Sequence, residues 1–393
     1  MSNLRDQFLL DPDVTFLNHG SFGATPKPVF DVYQQWQLCL ERQPVHFLTT
    51  ELPEHLAAAR QALGNYLNAP ADALVYVPNA TFGVNIVANS LPSGPGDELL
   101  TTNHEYGACD NTWRYYSQKR GFTVVRQSIP LPVTTPEAIV DQLWQGVTGR
   151  TKAIFLSHIT SATALRLPVE AICARAREAG IWTIVDGAHA PGQIPLDMVQ
   201  IGADFYTGNA HKWLCAPKGT AFLYARPEMQ HLIEPLVVGW GWGEHRALTY
   251  GSDYLDYLQW LGTDDLASYL SVPAAIDFQA AHQWPDVRRR CHELLCQGME
   301  RMTELTGLTA VYPPNSQFFH QMAIVPLPPL PDLQALKSRL YEQYRVEIPF
   351  IEWENRQFMR ISVQGYNTQA DIDRLVDAMR VLLPQTANAW WEN

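Results

Sequence analysis

Between residues 97 and 225, short apolar runs alternate with helical stretches, and this alternation limits the fold more than any other feature of the chain. The runs are DELLTT (97–102), FTVVRQ (122–127), KAIFLSH (152–158), WTIVDGAH (182–189), DFYTG (204–208) and GTAFLYA (219–225). Between several of them lie NTWRYYSQKRG, TPEAIVDQLWQGV and PVEAICARAREAG, which read as helices. Apolar runs of this length, bounded by turn residues, suit strands buried on both faces. The repetition predicts an α/β fold whose mostly parallel sheet is flanked by helices. In such sheets ligands bind outside the carboxyl ends of the strands.

Upstream, HLAAARQALGNYL (55–67) has helical spacing, and LVYVPN leads as a short strand into a helix opening at NATFGVN (79–85). After about residue 265 the alternation stops. ASYLSVPAAIDFQAAHQW and VRRRCHELLCQGMERMTELTG read as two long helices. QMAIVPL, VEIPFIEW and FMRISV read as strands, and TQADIDRLVDAMRVLL as the last helix. The expected division is a large domain over residues 15–265 and a smaller α+β domain over 266–393 together with 1–14.

Composition narrows the function classes. The chain is 46% hydrophobic and 17% charged over 393 residues, which suits globular domains with substantial cores. Its net charge of −12 argues against a nucleic acid or an anionic membrane as partner. No window approaches the length of a membrane span, and the start MSNLRDQFLLDPDVTF lacks the apolar core of a signal peptide. The six cysteines form no CxxC pair, so reduced thiols and a cytoplasmic location are expected.

The strand ends carry the polar residues of interest. WTIVDGAH is apolar until it delivers Asp186, which is either a loop anchor or a charge partner. The next strand, DFYTG, ends just before His211 and Lys212, and Trp213, Leu214 and Cys215 follow directly. Lys212 either snorkels outward or sits in a pocket that lowers its pKa and frees the amine for attack on a carbonyl. A lysine and an acid on successive strand ends meet the needs of pyridoxal phosphate chemistry: a Schiff-base lysine and a carboxylate at the ring nitrogen. The backbone of Ala80, Thr81 and Phe82 at a helix N-terminus, with the Thr81 hydroxyl, suits a phosphate, though an N-cap alone would read the same.

Asp186-x-x-His189, His211-Lys212 and NATFG together resemble the class V aminotransferase family of pyridoxal phosphate enzymes (fold type I). The resemblance runs from FLNHGSFGATP (Phe16–Pro26) to MRISVQGYNT (Met359–Thr368). With SHITSATALRLPV and TGNAHKW, it looks most like the isopenicillin N epimerase branch, which also contains carbon–sulfur lyases. It implies that Lys212 carries the cofactor covalently, that Asp186 pairs with the pyridine nitrogen and that His189 bonds the ring oxygen or imine. It implies phosphate contacts from His211 and Thr81, with Asn209 or Thr207 as a further one, and a ring stacked on the cofactor at Tyr106. Arg360 matches the arginine that grips the substrate carboxylate, and Asn18 and His19 fall in the substrate region. Thr263 in LGTDD matches a residue that reaches the phosphate of a neighbouring subunit, which implies a homodimer. Relatives have an Asn in the loop that here reads His158 to Thr163, so Ser161 or Thr163 must take its place.

The reaction stays open at this level. No cysteine follows Cys296, which argues against desulfuration through a protein persulfide. Epimerisation needs a second base, for which Tyr106, His19 and His245 are candidates. Elimination from a cysteine-like substrate or sulfoxide needs Lys212 and an acid for the leaving sulfur, and transamination needs Lys212 alone. Trp240, in VVGWGWGEH, suits the wall of a substrate pocket or a pinned glycine-rich loop. The rival classes are a non-catalytic pyridoxal phosphate sensor and a zinc hydrolase built on His189, His211 and Cys215; the latter spacing fits no familiar ligand set, so no metal is expected.

Overall fold

The computed structural model describes residues 4–246, 248–313 and 317–383. Its strands are β1 (Thr15–Phe16), β2 (Leu74–Val77), β3 (Glu98–Thr102), β4 (Thr123–Gln127), β5 (Thr151–Ser157), β6 (Trp182–Asp186), β7 (Phe205–Asn209), β8 (Ala221–Ala225), β9 (Met322–Leu327), β10 (Val346–Glu347), β11 (Phe350–Trp353) and β12 (Arg356–Ser362). Seven of them form one sheet in the order β2-β8-β7-β6-β5-β3-β4.

The apolar runs produce this sheet for a simple reason. The helices Gly107–Arg120, Pro136–Trp144 and Val169–Glu178 each return the chain to the same end of the sheet, so β4, β3, β5, β6 and β7 run parallel. Only β2 and β8 run antiparallel to their neighbours. Strands β2, β3, β7 and β8 are buried at every position, whereas the edge strand β4 is not. Strand β4 lies on one side of β3 and β5 on the other, so the strand order reverses at β3. The carboxyl ends beside that switch point are those of β3, β5, β6 and β7, where polar residues gather.

A second, antiparallel sheet has the order β11-β12-β9, and β1 pairs in parallel with β10. The helices Trp284–Thr306, Leu333–Tyr344 and Gln369–Leu382 accompany it. The expected VEIPFIEW strand is split at Ile348 and Pro349, because proline has no N–H to give a ladder. The expected helix over 267–284 is likewise broken into Ala267–Leu270 and Val272–Ala281, with Pro273 opening the second piece. Two further helices, Lys27–Arg42 and Leu333–Tyr344, do not stand out in the sequence; only Val29 of the first is fully buried, so its apolar stripe is faint. Helix Val272–Ala281 packs on Lys27–Arg42 and Leu52–Leu67. All six cysteines are free. Among the described residues no helix is long and apolar enough to cross a membrane.

Candidate active site

A cavity of about 400 Å³ opens where β5, β6 and β7 end, and Asp186, His189, His211 and Lys212 all line it. A larger hollow, about 730 Å³, lies beside the β11–β12 hairpin and holds none of these groups.

Asp186 closes β6 and is 3% exposed. Its carboxylate accepts the Ala188 N–H at 2.9 Å and faces the Cys109 thiol at 3.5 Å. Burial raises its pKa, while the Ala188 bond and the charge of Lys212 oppose the rise.

Lys212 follows β7 by one turn. Its Nζ lies 3.2 Å from His189 Nε2, and the Trp213 indole N–H donates to His189 Nδ1 at 3.3 Å. An indole nitrogen only donates, so Nδ1 is an acceptor and a neutral His189 carries its proton on Nε2. That N–H can bond only to an uncharged amine. The electrostatics agree: burial, then the Arg360 charge, lowers the Lys212 pKa to about 8, and burial holds His189 well below its usual range. The apolar residues after Lys212 anchor its loop in the core: Trp213, Leu214 and Cys215 are fully buried.

The helix Ala80–Ser90 points its first turn at the cavity, which Asn79, Ala80 and Thr81 line. Gly83 lets it approach β7, since a Cβ there would stand 2.4 Å from Thr207 Oγ1. The Ala80 N–H donates to Asn209 Oδ1 at 2.8 Å, and the Phe82 N–H to the Asn79 cap at 2.9 Å. Among the described residues nothing comparable engages the N–H or hydroxyl of Thr81. Thr207 donates to the Phe222 carbonyl at 2.9 Å and is turned into the sheet. His211 donates from Nδ1 to the Thr220 carbonyl at 2.9 Å, and burial, then Lys212, lowers its pKa to about 4.

Tyr106 caps the helix Gly107–Arg120, lines the cavity and is 48% exposed. Ser161 lines the cavity too, whereas Thr163 is buried against His104 and Thr160 at 2.7 Å each. Arg360 lies in β12, 4% exposed, just behind two cavity-lining serines. It donates to the Ser161 carbonyl at 2.5 Å and to Ser21 Oγ at 3.0 Å, and its Nε has no partner among the described residues. Asn18 supports this from behind, accepting the Ser21 hydroxyl at 2.5 Å. Burial lowers the Arg360 pKa to about 10. A buried guanidinium bonded only to neutral oxygens suits an incoming carboxylate.

Other expected residues lie elsewhere. His19 is fully buried beneath the lysine loop; Nε2 donates to the Lys212 carbonyl at 3.0 Å and Nδ1 accepts from Tyr366 at 2.9 Å. Trp240 and His245 are exposed and do not line the cavity. Thr263 is exposed beside a separate hollow with Tyr76 and Tyr269. Cys215 packs against His19 at 3.8 Å, and among the described residues no group of three His, Cys, Asp or Glu side chains gathers as a metal's ligands would. Sequence reasoning passed over Ser21, Phe22, Ser157 and Glu105. Their one signal was position, next to His19, Tyr106 and Asp186 in the chain or the sheet.

Residues 23–375 match the model of the aminotransferase class-V family. The chain belongs to that family. It is 35% identical over 391 residues to isopenicillin N epimerase of Amycolatopsis lactamdurans, covering 97% of this chain and 98% of that protein. It is 29% identical over 406 residues to a probable chloroplastic L-cysteine desulfhydrase of Arabidopsis thaliana, covering 95% and 84%. The solved complex of the cystine C–S lyase C-DES with cysteine persulfide has the same fold, with a TM-score of 0.82 at 21% identity over 95% of this chain and 99% of that one. This member of the family is thus a pyridoxal phosphate-dependent enzyme with the fold type I architecture. Its cavity fits that cofactor in charge and donors: a buried carboxylate for a ring nitrogen, unengaged Thr81 donors at a helix N-terminus for a phosphate, and a buried amine at Lys212 whose pKa is lowered to about 8.

Proposed function

We propose that this chain moves a proton at Cα of an amino acid and returns it on the opposite face, as an epimerase does. One observation carries the reading. Lys212 and Tyr106 line the same cavity, whereas His19 and His245, the other candidates for a second base, stand outside it. Epimerisation needs two proton-transfer groups, and these two are available.

In this reading pyridoxal phosphate is bound covalently through Lys212 and, when bound, supplies the electron sink that makes the Cα proton acidic. Asp186 holds its ring nitrogen and His189 its ring oxygen. Thr81 and His211 hold its phosphate, Ala80 and Phe82 forming the turn whose N–H groups Asn209 and Asn79 take; Tyr106 covers its ring and Ser161 lies at its edge. Arg360 takes the substrate carboxylate, with Ser21 and Asn18 keeping the guanidinium in place. Lys212 Nζ takes the proton from Cα, and the Tyr106 hydroxyl gives one back from the other side. We also infer a homodimer in which Thr263 reaches the partner's phosphate site and the exposed Trp240 is covered by the partner subunit. Residues 15–265 would form the cofactor-binding domain, and 266–393 with 1–14 the smaller one.

A second reading uses the same groups. Tyr106 would protonate the sulfur that leaves Cβ, making the enzyme a carbon–sulfur lyase; the likeness to a desulfhydrase over most of the chain favours it. The deciding experiment mixes holoenzyme with a panel of D- and L-amino acids in deuterium oxide. Epimerisation gives Cα deuterium and stereochemical inversion, with no ammonia, sulfide or keto acid. Sulfide with ammonia and a keto acid would replace it with elimination, and keto acid without ammonia with transamination.

A further inference from the structure

Glu105 directly precedes Tyr106, and it turns inward. It is 7% exposed. One carboxylate oxygen accepts the Ser157 N–H at 2.8 Å and the Ser157 hydroxyl at 2.6 Å; the other accepts the Thr102 hydroxyl at 2.6 Å. Ser157 ends β5, lines the cavity and is the register partner of Asp186 on β6. Glu105 therefore ties the end of β3, the Tyr106 loop and the end of β5 to the strand that presents Asp186.

All three donors are neutral. Among the described residues, the titratable groups facing Glu105 are Asp186 from β6 and Cys109 and Asp110 from the helix Gly107–Arg120, and none of these is a cation. Burial raises the Glu105 pKa to about 7, and the two aspartates push it the same way. Taking a carboxylate out of water without a cation is costly. Neutral side chains can make neutral hydrogen bonds; what a carboxylate adds is a second negative charge beside Asp186.

We propose that Glu105 is a positioning residue for the cofactor's ring nitrogen: through Ser157 it fixes the end of β5 beside Asp186, and its charge strengthens the hold of Asp186 on a protonated pyridine. This rests on Asp186 being the ring-nitrogen partner. A cation held by Asp186 is attracted also by a second carboxylate close to it, and the attraction is strong where water is excluded.

The test compares two ligands of the apoprotein: pyridoxal phosphate and its 1-deaza analogue, in which CH replaces the ring nitrogen. Both affinities are read at pH 8 from quenching of tryptophan fluorescence. Glu105→Gln should lower the preference for pyridoxal phosphate about threefold to tenfold and leave the deaza affinity nearly unchanged. Equal weakening of both ligands, or of neither, would overturn the proposal and leave Glu105 a loop anchor. Asp186→Asn serves as the control: an unchanged preference there sinks the reading of Asp186 itself, whatever Glu105 does. Should Glu105→Gln fail to fold, the wild-type holoenzyme decides. The ¹⁵N resonance of labelled cofactor should move as Glu105 ionises, below pH 7 because the pyridinium charge favours the carboxylate, and a resonance constant from about pH 4 to 8 would reject the idea.

Discussion

At the scale of single residues, the hydrogen bond chain Trp213–His189–Lys212 is the most informative feature of the cavity. It makes an uncharged lysine the partner that His189 requires, and burial pushes the Lys212 pKa down to about 8 in the same direction. A free amine attacks a carbonyl and an ammonium does not. The apoprotein should therefore capture pyridoxal phosphate faster as pH rises through about 8 and reach a plateau above it, since more of the lysine is then deprotonated. Stopped-flow absorbance measures this directly. Lys212→Ala should abolish both turnover and the borohydride-reducible link; a stable pyridoxyl adduct on another lysine with full activity would reassign the site. Tyr106 tests the second proton-transfer group. Tyr106→Phe preserves the ring face, so cofactor affinity should stay, while enantiomer conversion falls by roughly 10²–10⁴, the span expected for losing a general acid or base. Under the epimerase reading the variant still exchanges the Cα proton of one enantiomer, detected by proton NMR in deuterium oxide. If both enantiomers still interconvert at the wild-type rate, Tyr106 only stacks.

Elements place these residues by close approach. Gly23 has φ +72, and a Cβ there would stand 2.2 Å from the His211 carbonyl oxygen and 2.9 Å from Lys212 Cα. The N-terminal segment thus presses directly on the lysine loop, while His19 in the same segment holds the Lys212 carbonyl. Gly23→Ala adds a clash to a backbone conformation that costs L-residues about 1–3 kcal/mol. It should lower the melting temperature and displace Lys212, with cofactor content per subunit falling below one. Unchanged melting and full cofactor content would show that the contact is slack. The β11–β12 hairpin acts in a similar way on the other wall: the Trp353 indole donates to the Asn103 carbonyl at 3.0 Å, and its ring lies 4.6 Å from that of His104. The C-terminal module therefore reaches the loop that carries Tyr106.

For the whole molecule, the prediction concerns assembly. Thr263 is not among the residues that line the cavity on its own chain; it stands beside a separate hollow with Tyr76, Pro78 and Tyr269. If it serves a partner's phosphate, the active species is a dimer. Sedimentation of holoenzyme at its working concentration should give twice the mass of one chain, and Thr263→Ala should weaken cofactor retention without unfolding the subunit. An active monomer would refute this.

The sequence by itself determined the α/β class, most of the strand positions, and the placing of Asp186 and of His211-Lys212 at successive strand ends; the roles expected of His189, His211 and Arg360 came from the family resemblance. Those features are local: apolar runs of strand length declare themselves, and a polar residue at the end of such a run is conspicuous. NATFGVN likewise announced a strand-to-helix turn before its partners were known. Tertiary structure alone decided which polar residues meet. Asn18, His19 and Ser21 share one short stretch, yet Ser21 lines the cavity, Asn18 braces it and His19 is sealed beneath the lysine. Thr163 and Ser161 looked interchangeable until the loop turned one inward to His104 and the other to the cavity. Glu105 had no sequence signal beyond its neighbour, because its meaning depends on Ser157, 52 residues away on a strand that pairs alongside only after the β3–β5 crossover. Composition and periodicity report what each residue does to its own segment; which carboxylate, amine or hydroxyl it faces depends on strand order, and strand order is settled by packing between segments distant in the chain.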